Sequence, residues 1–216
     1  MNVDGIIFDG LSTSTVSDAL DRLGIAGQCA GIMPVYMGGR MCGPAFTLRY
    51  LPVGSGGGTV GDFVDDVPPG GVVAIDNNGR TDCTVWGDIM TFVASKRGVA
   101  GTVINGICRD IDRSREMKYP IFSLSHWMRT GKDRVRLVAV NQPIELGTVS
   151  VDPGDILFGD DNGVVAVPKA RVEEVAALAN SIETVEDKIR AAVAKGMNLG
   201  EARKAFGYHA LQTRQK

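Results

Sequence analysis

The first part of the chain alternates between helical and extended patterns of apolar residues. From Ser12 to Leu23 apolar positions recur at three- and four-residue spacing, and Gly24 stops the pattern, which predicts an amphipathic helix. Helices are also predicted over Val85–Arg97, ended by Gly98, and over Asp110–Met117. Runs of apolar or alternating residues predict four strands: Gly43–Leu51, Val72–Asp76, Gly101–Ile107 and Pro120–Ser123. This alternation favours an α/β core with parallel strands.

The remaining sequence predicts short strands followed by a long helix. The short β runs, separated by Gly, Pro, Asn and Asp turns, are Val135–Val140, Thr148–Val151, Ile156–Phe158 and Val164–Val167. They suggest a β-rich layer attached to the α/β core. A helix with an apolar stripe is predicted from Lys169 to about Lys195, Gly196 breaks it, and Leu199–Phe206 forms a last helical piece. We therefore divide the chain into a core, residues 1–168, and a helical tail, residues 169–216, that packs on the core or on a neighbouring subunit.

Composition and charge exclude several classes of function. The 216 residues are 44% hydrophobic and 22% charged, as in proteins that bury a core, and the net charge is −2. No global basic field attracts nucleic acid or anionic lipid, and no apolar run reaches the ~18 residues that span a bilayer. The N-terminus lacks the positive region of a secretory signal. We expect a cytoplasmic protein that uses neither nucleic acid nor a membrane.

Several motifs are interpreted as structural. The four cysteines (Cys29, Cys42, Cys83 and Cys108) form no C-x-x-C pair and are interpreted as reduced, buried thiols. The Gly54–Gly58 loop lacks the Gly-Lys-Ser/Thr ending of a phosphate-binding loop, and the acidic run Asp160–Gly163 is interpreted as a hairpin turn rather than a calcium loop. Lys96, Lys132 and Lys195 are interpreted as solvated surface residues.

The segment from Gly87 to Asp110 contains the candidate chemistry. A helix is predicted to start near Asp88, and a strand is predicted to end at Arg109 and Asp110. In a parallel sheet a helix start and a strand's carboxyl end lie at the same edge, where ligands bind. Free N–H groups of Ile89 and Met90 favour a carboxylate, Arg109 offers a planar cationic fork, and Asp110 is a hard oxygen ligand for Mg²⁺ or Mn²⁺. By spacing alone, a surface salt bridge is the favoured interpretation of these charges.

The chain has Asp88, then twenty intervening residues, then Arg109-Asp110. This pattern resembles the signature of the 4-hydroxy-4-methyl-2-oxoglutarate aldolase (RraA-like) family. The similarity spans almost the whole chain. The matching segments, in chain order, are TVSDALDRLGI (Thr15–Ile25), GGRMCGPAFTLR (Gly38–Arg49), PPGGVVAID (Pro68–Asp76), DPGDILFGDDNGVVAVP (Asp152–Pro168) and GMNLGEARKAFGYHALQ (Gly196–Gln212).

The resemblance implies a divalent-metal-dependent lyase that releases pyruvate from 4-hydroxy-4-methyl-2-oxoglutarate or 4-carboxy-4-hydroxy-2-oxoadipate, with oxaloacetate decarboxylation as a second activity. Backbone amides of Gly87–Met90 would bind the substrate carboxylate, and Arg109 the keto oxygen. Asp110 would coordinate the metal, and Asp88 would orient a water on it that acts as general acid or base. The implied fold is an α/β domain similar to the phosphohistidine-swivelling β/β/α type with a long C-terminal helical tail, assembled as homotrimers or homohexamers with sites near subunit boundaries.

One position departs from the family pattern, and the roles of two histidines and one acidic residue have alternative interpretations. Family members often carry an acidic residue three positions after the metal-binding Asp, where this chain has Arg113; Asp112 lies one place before it. His126 is interpreted as a structural histidine, with a pocket position as the alternative. His209 and Glu201, in the tail, could approach a neighbouring subunit's site.

Two other functions are considered for the chain. Relatives in the same superfamily inhibit ribonuclease E by protein binding, so a non-enzymatic regulator is the alternative to the enzyme. A menaquinone methyltransferase is rejected because no suitable Gly-rich nucleotide motif follows a first strand.

Overall fold

The structure is a computed structural model that describes residues 7–54, 58, 60–208 and 211. Most of the Gly54–Gly58 loop, and His209, therefore lie outside the described residues. The helices are α1 (Thr13–Leu23), α2 (Asp88–Lys96), α3 (Ile111–Glu116), α4 (Val172–Ala194) and α5 (Leu199–Ala205). The strands are β1 (Met33–Pro34), β2 (Met41–Pro52), β3 (Val72–Asp76), β4 (Gly101–Cys108), β5 (Ile121–His126), β6 (Val135–Val140), β7 (Ile144–Leu146), β8 (Val149–Val151), β9 (Ile156–Asp160) and β10 (Gly163–Val167).

The main sheet has eight strands in the order β1-β5-β4-β3-β2-β9-β10, with β6 also pairing with β2. Strands β2, β3, β4 and β5 are parallel, as the alternating sequence pattern predicts, and the α/β class with a long C-terminal helix is confirmed. The predicted β-rich layer attached to the core is only partly correct. Strands β6, β9 and β10 join the main sheet by antiparallel pairing, and only the β7–β8 hairpin forms a sheet of its own.

The length of β2 explains this extension of the sheet. Its first residues, Met41–Pro44, pair with β9, its middle pairs with β3, and its last residues pair with β6. The sequence prediction began this strand two residues late and ended it one residue early. A strand of twelve residues can hold three partners, and the sequence pattern does not show which residues pair with which strand.

Helix α2 begins at Asp88, so the predicted start at Val85 is wrong. Val85 and Trp86 are buried in the core beside the ring of Tyr119, which stacks on Trp86 with 6.3 Å between centroids. Gly87 is extended, with φ −148° and ψ −166°. In the sequence, apolar residues just before a helix look like a continuation of its buried face. In the structure, Val85 and Trp86 instead lie beside the end of β4 at the edge of the sheet.

The two faces of the sheet bury different side chains. Phe46, Leu48 and Tyr50 of β2 share one face and form a core with Val85 and Trp86. On the opposite face the β7–β8 hairpin covers a second core that includes Val72, Ala74, Val103 and Phe122. The α2 side of the sheet therefore carries the segment that contains the candidate site.

The C-terminal helix α4 packs against α1 through its first half. Buried positions follow the predicted stripe: Val172, Val175, Ala179, Ile182 and Ile189. Near its end Val193 is 40% exposed, so the stripe is not buried along its whole length. Whether residues 1–168 form a separate unit stays a prediction. Among the helices of the described residues, none combines the length and apolar character that crossing a membrane requires.

The four cysteines are free thiols, as predicted from their spacing. Cys29, Cys83 and Cys108 are buried and Cys42 is half-buried. Burial raises the pKa of Cys29 to about 12 and the pKa values of Cys42 and Cys108 to about 11. These three thiols therefore stay protonated and unreactive at neutral pH.

Candidate active site

The carboxyl end of β4 and the amino end of α2 meet at one edge of the sheet. Thr84 forms a parallel bridge with Ile107, and the N–H of Arg109 donates to the Trp86 carbonyl at 3.0 Å. The segment before α2 thus runs alongside the end of β4. It places Gly87 directly beside Arg109 and Asp110.

Three predicted site residues lie together around one carboxylate oxygen. Asp110 Oδ2 accepts a hydrogen bond from the Asp88 N–H at 3.1 Å and lies 3.3 Å from Arg109 Nε. The side chains of Arg109 and Asp110 are 38% and 36% exposed, so both reach solvent and ligands. Arg109 and Asp110 do form the ion pair that spacing alone allows. The hydrogen bond from the Asp88 N–H to Asp110 also ties this ion pair to the backbone of α2, which a simple surface salt bridge does not do.

Gly87 is required by a close approach of side chains. A Cβ at this position would lie 2.9 Å from Asp110 Oδ2 and 3.0 Å from Arg109 Nε. Any other residue would displace one of these groups. The site therefore depends on a glycine whose backbone conformation alone does not demand one.

The first turn of α2 offers backbone donors. Its first intrahelical hydrogen bond runs from the Thr91 N–H to the Gly87 carbonyl at 3.0 Å. Helix geometry leaves the preceding N–H groups of Ile89 and Met90 without an intrahelical acceptor. The helix dipole places partial positive charge there, which suits a carboxylate.

Thr91 and Trp86 hold this turn in place, and the sequence reasoning missed both. The Thr91 hydroxyl donates to the Gly87 carbonyl at 3.0 Å and accepts from the buried Trp86 Nε1 at 2.9 Å. The available signal was a threonine four residues after Gly87, because a helical threonine at that spacing can bond to the earlier carbonyl.

Asp110 has an unusual backbone. Its φ of 57° and ψ of 40° lie in the left-handed region, where the chain turns from β4 into α3. Aspartate is one of the residues that enter this region, at a modest energetic cost. Such positions cluster at functional sites, where the surrounding structure holds them.

Three clefts meet at this cluster. A cleft of about 210 Å³ is lined by Gly87–Met90, Arg109 and Asp62, and a second of about 500 Å³ by Arg109, Asp110 and the segment His126–Met128. A third, of about 620 Å³, lies between α2 and α3. Its lining residues are Asp88, Ile89, Phe92, Ser95, Lys96, Arg113, Glu116 and Met117. Arg109 thus faces two clefts, and Asp88 faces two.

The other candidate residues have different positions. His126 is exposed at the end of β5 and lines the cleft with Arg109, so its interpretation as a structural histidine is wrong. A histidine between Ser125 and Trp127 gives no signal in the sequence that the carboxyl end of this strand opens onto the site. Glu201 lies in α5, beside a groove of the C-terminal helices lined by Lys188 and Lys195. The acidic run at Asp160 forms the β9–β10 hairpin, as predicted.

The described residues contain no cluster of three or more His, Cys, Asp or Glu suited to a metal ion. A closed structural metal site is therefore absent from the described part of the chain. Asp110, with its partly exposed carboxylate, is compatible with another kind of site. Mg²⁺ commonly binds one or two protein carboxylates and takes its other ligands from waters and the substrate.

Comparison with known proteins places the chain in a family. The model of the RraA-like family, described as Aldolase/RraA, matches residues 13–166. The chain belongs to this family. The matched range contains α2, β4 and the complete Asp88–Arg109–Asp110 cluster.

Two curated relatives illustrate the range of RraA-like proteins. Protein DlpA of Legionella pneumophila is 39% identical over 91% of the chain, but the chain spans only 32% of that protein's length. A Halalkalibacterium halodurans protein, provisionally named 4-hydroxy-4-methyl-2-oxoglutarate aldolase, is 34% identical over 78% of each chain.

Solved structures share the fold. An uncharacterised protein from Pseudomonas syringae pv. tomato superposes with a TM-score of 0.86 at 40% identity, covering 94% of this chain and 99% of its own. RraAS2 of Streptomyces coelicolor, described as an unusual member of the RNase ES inhibitor RraA protein family, has a TM-score of 0.80 at 27% identity. That match covers 88% of this chain and 98% of RraAS2.

Proposed function

We propose that this RraA-like chain is a divalent-metal-dependent carbon–carbon lyase. Its substrate is 4-hydroxy-4-methyl-2-oxoglutarate or 4-carboxy-4-hydroxy-2-oxoadipate, its products are pyruvate and a second oxo-acid, and it decarboxylates oxaloacetate as a second activity. The observation that carries this proposal is the position of the Asp110 carboxylate, which accepts from the Asp88 N–H at the α2 amino end at 3.1 Å and lies 3.3 Å from Arg109 Nε. The provisional name of the Halalkalibacterium halodurans relative supports the same class.

The substrate carboxylate binds at the amino end of α2. The N–H groups of Ile89 and Met90 point out of the helix start and carry its partial positive charge. Gly87 lines the same cleft, and its lack of a side chain lets Arg109 and Asp110 lie close to the helix start. The 2-oxo group then lies toward Arg109, which faces the same cleft.

Arg109 stabilises the charge that develops during cleavage. When the C3–C4 bond breaks, its electron pair moves into the enolate of pyruvate, with negative charge on the former oxo oxygen. A guanidinium fixed at this position stabilises the enolate more than the substrate, and removing such a group typically costs about 3 kcal/mol of transition-state stabilisation. Arg109 is held by its ion pair with Asp110 and its backbone bond to Trp86.

Asp110 would hold the metal ion, with ligands from water and the oxo-acid completing the shell. When bound, the ion supplies Lewis-acid stabilisation of the enolate without a lysine Schiff base. No lysine, Lys96 and Lys132 included, is among the described residues that line the cleft of about 210 Å³ with Arg109. The Asp110 carboxylate also accepts the hydrogen bond of the Asp88 N–H. Loss of this carboxylate would therefore disturb both metal binding and the position of the α2 start.

Asp88 handles the proton. Its exposed carboxylate lines the clefts on both sides of the helix start. Through an intervening water it accepts the proton of the substrate's C4 hydroxyl as that carbon becomes a carbonyl, and it returns a proton to C3 of the enolate. Oxaloacetate decarboxylation gives the same enolate and needs only the returned proton.

A protein-binding regulator is the second candidate. The similarity to the Streptomyces coelicolor protein favours it, as do the exposed apolar side chains beside the site: Ile89, Phe92, Trp127 and Met128 are 73%, 53%, 42% and 72% exposed. Fold likeness alone does not decide between recognition and catalysis. A pure regulator would release no pyruvate under any metal condition.

The test measures pyruvate release from oxaloacetate and from 4-hydroxy-4-methyl-2-oxoglutarate, coupled to lactate dehydrogenase and NADH oxidation. The proposal predicts turnover with Mg²⁺ or Mn²⁺ and none with a chelator. Asp110→Ala should abolish turnover while its thermal unfolding stays cooperative. Glu173→Ala, which removes an exposed carboxylate of α4, is the matched control and should retain full activity. Wild-type turnover by Asp110→Ala in excess Mg²⁺ would refute the metal role.

A further inference from the structure

Arg113 lies one helical turn after the proposed metal ligand. Its N–H donates to the Asp110 carbonyl at 3.1 Å, which fixes the start of α3 relative to the site. The side chain is 61% exposed. The distance between Arg113 and the site is therefore set by backbone structure, while its guanidinium can move in solvent.

The guanidinium faces the Asp88 side of the site. Arg113 and Asp88 line the same cleft between α2 and α3. The hydrogen bond and charge of Glu116, then the charges of Asp112 and Asp88, raise the pKa of Arg113. Asp88 therefore acts on Arg113 across the cleft. Because Asp88 and Ile89 line both this cleft and the Arg109 cleft, the two clefts adjoin at the start of α2.

A substrate with two carboxylates needs a second cationic contact. The α2 amino end and Arg109 serve the pyruvate half of the proposed substrate. In the α2–α3 cleft the cations are Arg113 and Lys96. Lys96 lies eight residues after Asp88, about 12 Å along the helix axis, and its Nζ sits 5.7 Å from the Phe92 ring centroid. Arg113, whose N–H bonds to the carbonyl of Asp110, is therefore our candidate for this contact.

The present partner of Arg113 can be exchanged. Arg113 Nη1 lies 2.9 Å from Glu116 on the same helix, and both side chains are 61% exposed. Exposed pairs of this kind contribute little to stability. A substrate carboxylate that the site already holds by its other end can compete for the guanidinium, whose fork suits two-point binding of carboxylates.

We propose that Arg113 is a specificity-determining residue that binds the second carboxylate of a dicarboxylic oxo-acid. Its preferred ligands carry a carboxylate at each end, and oxo-acids of the same length that end in a methyl group bind more weakly. This inference rests on the proposed function, since it assumes that the first carboxylate binds at α2.

The test compares ligands that differ only in the second carboxylate. For turnover, 4-hydroxy-4-methyl-2-oxoglutarate is compared with 4-hydroxy-4-methyl-2-oxopentanoate; for binding in the presence of Mg²⁺, 2-oxoglutarate is compared with 2-oxopentanoate by calorimetry. Arg113→Gln should lower kcat/KM for the diacid about tenfold, mainly through KM, and leave the monoacid within twofold. Arg113→Lys should recover part of the preference. Lys96→Gln and Arg115→Gln, which remove neighbouring cations, should keep the wild-type ratio.

The outcomes separate this inference from the proposed function. The wild-type protein could turn over neither substrate yet bind 2-oxoglutarate more tightly than 2-oxopentanoate, and Arg113→Gln could abolish that preference. This combination would contradict the lyase and support Arg113 as the specificity residue. Equal losses for both ligand classes would mean a structural role and overturn the inference. An unchanged ratio in Arg113→Gln, or a collapsed ratio in Lys96→Gln, would also overturn it.

Discussion

Gly87→Ala tests the geometry of the site with a change of one methyl group. The added Cβ would lie 2.9 Å from Asp110 Oδ2 and 3.0 Å from Arg109 Nε, and ordinary contact begins near 3.4 Å. The carboxylate and the guanidinium must therefore retreat by about 0.4 to 0.5 Å. A shift of this size lengthens the 3.1 Å bond from the Asp88 N–H to Asp110 and moves Arg109 away from the substrate.

The effects on activity and on stability should differ in size. A misplacement of about 1 Å can cost roughly a hundredfold in rate, so half of that predicts a loss of about tenfold or more in kcat/KM. The extended backbone of Gly87 is open to alanine. Alanine is a poorer N-cap than glycine, but it reduces the entropy of the unfolded chain, so the free energy of unfolding should change by less than about 1 kcal/mol.

Pyruvate release and urea unfolding measure the two effects on the same preparation. Gly200→Ala is the matched control, because a Cβ there meets nothing within 4 Å, and it should leave kcat/KM unchanged. Gly87→Ala with activity within twofold of wild type would refute the requirement for this close approach.

Arg109→Lys should lose most activity, at least tenfold in kcat, because an ammonium lacks the planar fork and the Nε contact with Asp110. Steady-state kinetics at saturating Mg²⁺ measure this loss, and a wild-type kcat would contradict the role of the fork. Asp160→Asn should lower the free energy of unfolding by about 1 kcal/mol at pH 7. Burial raises the pKa of Asp160, but hydrogen bonds from Thr13 and Asn162 outweigh it, so the net pKa is lowered. Its stabilisation is present above the unfolded-state pKa of about 3.9 and is lost as the pH falls through the lower folded pKa. Urea unfolding of both proteins from pH 7 to pH 3 should show the difference shrinking in acid, and a constant difference would contradict this reasoning.

Continuous apolar runs identified the central strands well. Val72–Asp76 is a strand over the predicted range because both of its faces are buried, and such strands are continuous apolar runs in the sequence. The same signal failed at Val85 and Trp86, since burial at the sheet edge and burial on a helix face both select apolar residues. The pairing of β9 and β10 with β2 depends on long-range contacts that no local pattern records.

The meeting of Asp88 with Arg109 and Asp110 could be predicted because a topological rule places helix starts and strand ends at one edge of a parallel sheet. The hydrogen bond from the Asp88 N–H to Asp110, and the close approach at Gly87, depend on angstrom-scale backbone geometry. The positions of Arg113 and His126 around the clefts follow from how α3 and β5 pack, which their own sequences do not specify.

A crystal structure with Mn²⁺ and pyruvate, measured at a wavelength where manganese scatters anomalously, would locate the metal and the ligand together. We expect one anomalous peak within coordination distance of the Asp110 carboxylate, with the pyruvate carboxylate at the N–H groups of Ile89 and Met90 and its oxo oxygen beside Arg109. A peak at another part of the chain, or pyruvate bound away from the α2 amino end, would contradict it.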